Sequence, residues 1–318
     1  MRPLTPLLIG AVFFVNLGEL SRVSGQIVRL QGPTPALLQL AGEQDKTRKD
    51  TGAYLRKLQD DSGGFRPNLP GSAPASASLR ATLSAVRALR YLDAEVPDLE
   101  ACRKFVQKCY SADAGAFADS PGGKADVLAN AIGLMAVVDL KMPTDKFSGA
   151  VKYLEENAKS FDEIRISAAA FESLGKEPSP KDIWLKEIRK LENAGGTFGE
   201  SLSEARDTGG AVAAVLRLGG KMADPDAAIK AMKNGQRKSG GFSSGIVSRA
   251  GPDADLETSY RIMRSLVMLK SRPADVQALQ GFIAKCRNSD GGYGVSPGAP
   301  SSASATYFAA IIMHWLKK

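Results

Sequence analysis

The 318-residue sequence contains one histidine and three cysteines. His314, a turn from the C-terminus, has no second imidazole with which to share a metal or a proton. Sites built on paired histidines are therefore excluded, and His314 reads as a packing or surface residue. Three cysteines do not make a disulfide framework. Cys102 and Cys109 fall on one expected helix, about 10 Å apart along its axis, too far for a local bridge. Cys109 and Cys286 each follow a phenylalanine (Phe105, Phe282) and precede a glycine turn, the pattern of small buried residues at helix ends. Glycine loops of the nucleotide-binding type are absent. Beyond the N-terminus no run is apolar enough to cross a membrane. The formal charge is +8, but Lys and Arg are interspersed with acids, which reads as solvated faces rather than a nucleic-acid stripe.

What is present begins with a signal-like segment. Arg2 gives a positive start, Leu7 to Val15 an apolar core and Val23-Ser24-Gly25 a small-residue cleavage site. The expectation is a signal over 1–25, a mature chain starting near Gln26, and a secreted or periplasmic protein. Residues 26–52, with Pro33, Pro35 and a charged run from Glu43 to Asp50, read as a linker or lead-in. The remainder, 53–318, reads as one repeat domain.

The repeat is carried by glycine–aromatic turns. Gly63-Gly64-Phe65, Gly115-Ala116-Phe117, Gly195-Gly196-Thr197-Phe198, Gly240-Gly241-Phe242 and Gly291-Gly292-Tyr293 each follow one helical run and precede another. A worn copy, Val151 to Leu174, places Phe161 at its turn and has no glycine pair. The six aromatics are spaced 37 to 52 residues apart, the period of stacked two-helix units that cannot bury their apolar faces alone. The paired glycines supply the left-handed backbone expected to stop the preceding helix. In each unit the first helix is the more charged and the second the more apolar. Six such units predict an all-α double ring of about twelve helices, an (α/α)6 toroid with the apolar helices inside. The inner helices would then aim their N-termini and free N–H groups at one rim, where anions are favoured.

The glycine–aromatic turns, followed by a loop and a helix such as Thr258-Ser259-Tyr260 or Ala305-Thr306-Tyr307, resemble the repeats of protein prenyltransferase β subunits and terpenoid cyclases such as squalene cyclase. The resemblance covers nearly all of Tyr54 to Leu316. It implies an α/α toroid with a central apolar cavity for an isoprenoid, lipid or peptide. Prenyltransferases of this family hold zinc with an Asp-x-Cys and a histidine. The matching positions here are Glu257, Ser259 and a position near Ser304, and serine is a poor zinc ligand, so no metal and no cofactor is expected. Class II cyclases carry Asp-x-Asp-Asp after such a turn. The corresponding stretch is Asp253-Ala254-Asp255-Leu256-Glu257, in which Leu256 replaces the last acid.

Two readings of that stretch stay open. Asp255, with Asp253 and Glu257, forms an altered catalytic acid site, or the acids simply cap the helix, as Asp126 and Asp207 stand near similar helix starts. Secreted toroids also include glycoside hydrolases and lyases with paired carboxylates, for which Asp207, Asp253, Asp255 and Glu257 are candidates. For ligand binding, Arg249 is the candidate for an anionic head such as a diphosphate, with Tyr260 and Tyr307 lining the cavity. Three functions follow: a non-zinc binder of an isoprenoid, lipid or peptide, an isoprenoid transferase or cyclase, and a scaffold that binds a partner protein through rim loops.

Overall fold

The structure, a computed structural model, describes residues 35–69, 75–200, 202–245 and 253–317. The expected signal segment and Arg249 lie outside these residues. Residues 35–56, read in part as a linker, form a helix, α1 (Pro35–Arg56). It crosses the boundary between Met1–Gln44 and a compact unit, Asp45–Lys318, to which the following account applies.

Eleven further α-helices follow among the described residues. They are α2 (Leu79–Tyr91), α3 (Leu99–Lys108), α4 (Val127–Asp139), α5 (Ser148–Asn157), α6 (Phe161–Leu174), α7 (Lys181–Arg189), α8 (Glu204–Arg217), α9 (Pro225–Asn234), α10 (Leu256–Met268), α11 (Val276–Lys285) and α12 (Ala303–Leu316). The even-numbered helices pack in sequence, and α12 returns to α2, so six inner helices close a ring. The odd-numbered helices α3 to α11 pack outside them. This is the expected toroid, with the core running between the layers.

Helix starts are set by short polar side chains. Ser78, Asp126, Ser160, Asp255 and Ser302 each accept the backbone N–H three residues on, a cap worth about 1 kcal/mol. The first N–H of several inner helices is also in use. Leu79, Leu256 and Ala303 donate to the carbonyls of Asp119, Val295 and Pro67 in other turns of the ring. At these three helices the leading N–H groups expected to be free are taken.

Five turn aromatics, Phe65, Phe117, Phe198, Phe242 and Tyr293, are buried as expected. Each donates its backbone N–H to one polar side chain on the inner helix that follows. The acceptors are Thr82 (2.9 Å), Asn130 (3.0 Å), Thr208 (2.9 Å), Ser259 (2.9 Å) and Thr306 (3.1 Å). The worn copy lacks this latch. There α5 ends at Asn157, a Ser160–Glu163 capping box starts α6, and Phe161 lies in the first turn of α6 instead of in a hairpin. The latch position, four residues after the cap in α2, α4, α10 and α12, is taken by buried Ile164. Where no turn N–H needs an acceptor, an apolar residue stands.

The turn glycines also differ from expectation. The preceding helices end in ordinary right-handed geometry at Cys109, Gly235 and Cys286. The left-handed glycine comes later, in the hairpin, where it abuts the next outer helix. At Gly240 (φ +99°) an added Cβ would sit 1.9 Å from the Ala278 carbonyl oxygen of α11. At Gly63 (φ +86°) it would sit 2.2 Å from that of Ala101 on α3. Glycine is required there by close approach as much as by dihedral angle.

Candidate functional site

The ring encloses a lumen of two chambers. Residues from the N-terminal turns of the inner helices line one of about 440 Å³, and residues from their C-terminal turns line another of about 300 Å³. The inner helices thus run in parallel around the axis. The N-terminal chamber has apolar walls from Leu83, Leu128, Ile132 and Phe308, beneath a mouth carrying Asp162, Glu257 and Arg261. Arg87, Met135, Ile166, Tyr260, Arg264 and Tyr307 line both chambers and form the waist between them. Arg90, Glu172, Arg217 and Trp315 line the C-terminal chamber. The cavity expected to be apolar is therefore apolar only toward the N-terminal end. Its waist is aromatic and basic.

Tyr260 and Tyr307 meet across the lumen wall as the sequence suggested, their hydroxyls 3.0 Å apart. Tyr260 stacks on Phe308 (4.8 Å between ring centres) and on Trp315 (5.9 Å). The Arg264 guanidinium lies 4.1 Å from the centre of the Tyr260 ring, a cation–π contact.

The arginines of the waist and of the C-terminal chamber differ in their partners. Arg87 donates to Asp139 at 2.5 Å, and Arg90 donates to the second oxygen of the same carboxylate at 2.6 Å. Burial opposes the charge on Arg87, but Tyr307 and Asp139 outweigh it and hold its guanidinium above the usual value. Arg217 donates its Nε to Glu172 at 2.7 Å, while its Nη1 is buried without a hydrogen-bond partner. Arg264 has no carboxylate and no hydrogen bond among the described residues. Burial pulls its pKa down to about 9, and Arg217, Arg165 and Arg87 add repulsion that Tyr307 only partly offsets.

The sequence-derived acids sit elsewhere. Asp255 is the N-cap of α10, one oxygen accepting the Thr258 N–H (2.7 Å) and the other the Thr258 hydroxyl (2.8 Å). This is the capping arrangement left open above. Asp253 is exposed in the loop before it. Glu257 stands at the mouth of the N-terminal chamber, paired with Arg261 at 2.6 Å. Asp207 lies in the first turn of α8 beside Arg206 (3.2 Å). Asp126 caps α4. Ser259, at the position of a zinc thiolate in the resembled enzymes, is committed on both sides. It accepts the Phe242 N–H and donates to the Asp255 carbonyl at 2.6 Å. Among the described residues no three His, Cys, Asp or Glu side chains gather in a way that could hold a metal ion.

Sequence reasoning missed Arg87, Arg217 and Arg264. The available signal was positional: Arg87 and Arg264 stand equally far after their caps, Ser78 and Asp255, on mostly buried helices.

The family described as the prenyltransferase alpha-alpha toroid domain matches residues 34–163 and 150–318. Comparison with curated proteins finds no match. Among solved structures, a type II terpene cyclase from Scytonema in complex with geranylgeranyl dihydroxybenzoate superposes with a TM-score of 0.59. It is 11% identical, over 88% of this chain and 98% of the other. A glycosidase in complex with glucose superposes at 0.57 with 14% identity, over 90% and 99% of the two chains. A protein from Actinoplanes does so at 0.56 with 12% identity, over 86% and 98%. Likenesses this remote in sequence establish the fold, and cyclase and glycosidase chemistry on the same ring shows how little the fold dictates. With the family match running across both halves of the toroid, the chain belongs to the prenyltransferase alpha-alpha toroid family.

Proposed function

We propose that this protein is an exported member of the family that binds an isoprenoid or lipid in its lumen without a zinc site. The observation that carries the reading is the lumen itself: an apolar N-terminal chamber that narrows onto an aromatic waist. Its chambers are of the size of small-molecule pockets, roughly 300–1,000 Å³, and set apolar walls beside charged side chains. The isoprenoid substrate bound by the Scytonema cyclase on the same fold supports that ligand class. Ser259 and Glu257, at the zinc-ligand positions, already serve the hairpin latch and the Arg261 ion pair, which supports binding without metal. Export rests on the N-terminal sequence alone.

Native mass spectrometry of the full chain, purified without detergent, tests the reading. The expected result is an adduct of lipid or isoprenoid mass, or uptake of added farnesol at one molecule per chain. A chain that neither carries nor takes up an amphiphile, or that holds a peptide instead, contradicts it. One zinc per chain by elemental analysis, lost on Glu257→Ala, contradicts the metal-free part. Exported protein still carrying Met1 to Gly25 contradicts the targeting part.

A further inference from the structure

The waist holds more positive charge than the chain neutralises. Four arginines, Arg87, Arg90, Arg217 and Arg264, line the C-terminal chamber. They face two paired carboxylates, Asp139 and Glu172. Two of the guanidinium groups have donor capacity left over. Arg264 has only the face of Tyr260, and Arg217 buries its Nη1 unbonded although its side chain is 9% exposed. The surface that Arg264 retains opens into both chambers of the lumen.

A buried cation without a counter-charge is costly, and a buried donor without an acceptor adds to that cost. A structural arginine would be expected to have its carboxylate, as Arg87 has Asp139 and Arg217 has Glu172. The inner-helix C-termini, whose carbonyl ends carry partial negative charge, moderate the repulsion but supply no bidentate acceptor. What is missing is one compact anion with several acceptor oxygens.

We propose that the waist of the lumen seats the anionic group of the ligand, a carboxylate or phosphate, on Arg264, with Arg217 beside it. The proposal rests on the lumen reading above and deepens it: the apolar part of the ligand occupies the N-terminal chamber, and its acidic head points inward and down. Arg87, held by Asp139 and reaching Tyr307, contributes charge without moving. The low pKa of Arg264 agrees with this placement, since a bound anion would offset the burial and the repulsion that lower it.

Calorimetric titration of the full chain with farnesyl phosphate, farnesol and inorganic phosphate tests it, using the parent, Arg264→Gln and Arg264→Lys. Farnesyl phosphate is expected to bind about tenfold or more tighter than farnesol, the worth of one charge-assisted hydrogen bond. Arg264→Gln should abolish that advantage and leave farnesol affinity unchanged, and Arg264→Lys should restore part of it. Should Arg264→Gln fail to fold, the lysine variant still reads the loss of the planar fork as a drop for farnesyl phosphate alone. Equal binding of the two isoprenoids to the parent overturns the anion seat and leaves the lumen reading standing. Inorganic phosphate binding that Arg264→Gln abolishes, with neither isoprenoid bound, supports the seat for a free anion and overturns the lumen reading. An advantage for farnesyl phosphate that survives both variants overturns the seat.

Discussion

The rim and the waist of this toroid use polar residues in opposite ways. At the rim most conspicuous groups are occupied by their own chain. Asp255 closes the first turn of α10, Ser259 receives the hairpin, Glu257 pairs with Arg261, and the leading N–H groups of three inner helices reach carbonyls of other turns. At the waist Arg264 is left open to the lumen, and one arm of Arg217 is buried without a hydrogen-bond partner. The comparison teaches that a cluster of charged residues is a weaker pointer to a site than one buried charge with nothing to meet. The rim is where the ring is assembled, and the waist is where it has capacity to bind.

If that division holds, changes at the rim affect stability and spare binding. The largest effect is expected at Gly240→Ala, where the new methyl meets the Ala278 carbonyl in a left-handed turn. Thermal or urea unfolding should show a loss of about 2–4 kcal/mol. A loss under about 0.5 kcal/mol, the range of an unconstrained surface site, would mean that hairpin and outer helix are not locked together.

Ser259→Ala comes next, because it strands the buried Phe242 N–H. The expected cost is about 1–3 kcal/mol in the same measurement. Ile164→Ser sharpens the contrast. The worn copy has no turn N–H to receive, so adding the hydroxyl there should destabilise the chain rather than latch it.

The waist should behave the other way. Arg264→Met removes a half-buried, repelled charge and should raise stability at neutral pH by about 1 kcal/mol, net of the lost contact with Tyr260. The sign follows from linkage. A base whose folded pKa is lowered to about 9, well below its unfolded value, carries its full cost below pH 9, and that cost fades as pH rises toward the unfolded value. The gain from Arg264→Met should therefore shrink above pH 9. A variant that is less stable than the parent at pH 7 would mean that Arg264 has a partner and that the waist is closed.

Most of the fold was legible in the sequence because the turns repeat two independent signals, a glycine and a buried aromatic. Phe65, Phe117, Phe198, Phe242 and Tyr293 were found that way. Phe161 was misplaced because a bare aromatic at roughly the right spacing imitates a turn, and only the capping box of Ser160 and Glu163 distinguishes it. The latch was hidden by its variety. Its side chain is Thr, Asn or Ser, at 10, 13 or 17 residues from the aromatic, since the hairpins differ in length. The waist arginines were hidden for a different reason. Other arginines, such as Arg80, Arg165 and Arg206, stand on the same inner helices, and only closure of the ring reveals that Arg87, Arg217 and Arg264 converge on one space. Tyr260 and Tyr307 were legible because two equivalent helices carry the same residue in the same place.

The most direct test of this division is a side-by-side titration of farnesyl phosphate against Asp255→Asn and Arg264→Gln. Asparagine caps about as well as aspartate, so the first variant should fold and bind as the parent does. The second should fold and lose about tenfold or more in affinity. The reverse result, weakened binding in Asp255→Asn and unchanged binding in Arg264→Gln, would place the functional site at the rim acids and contradict the account.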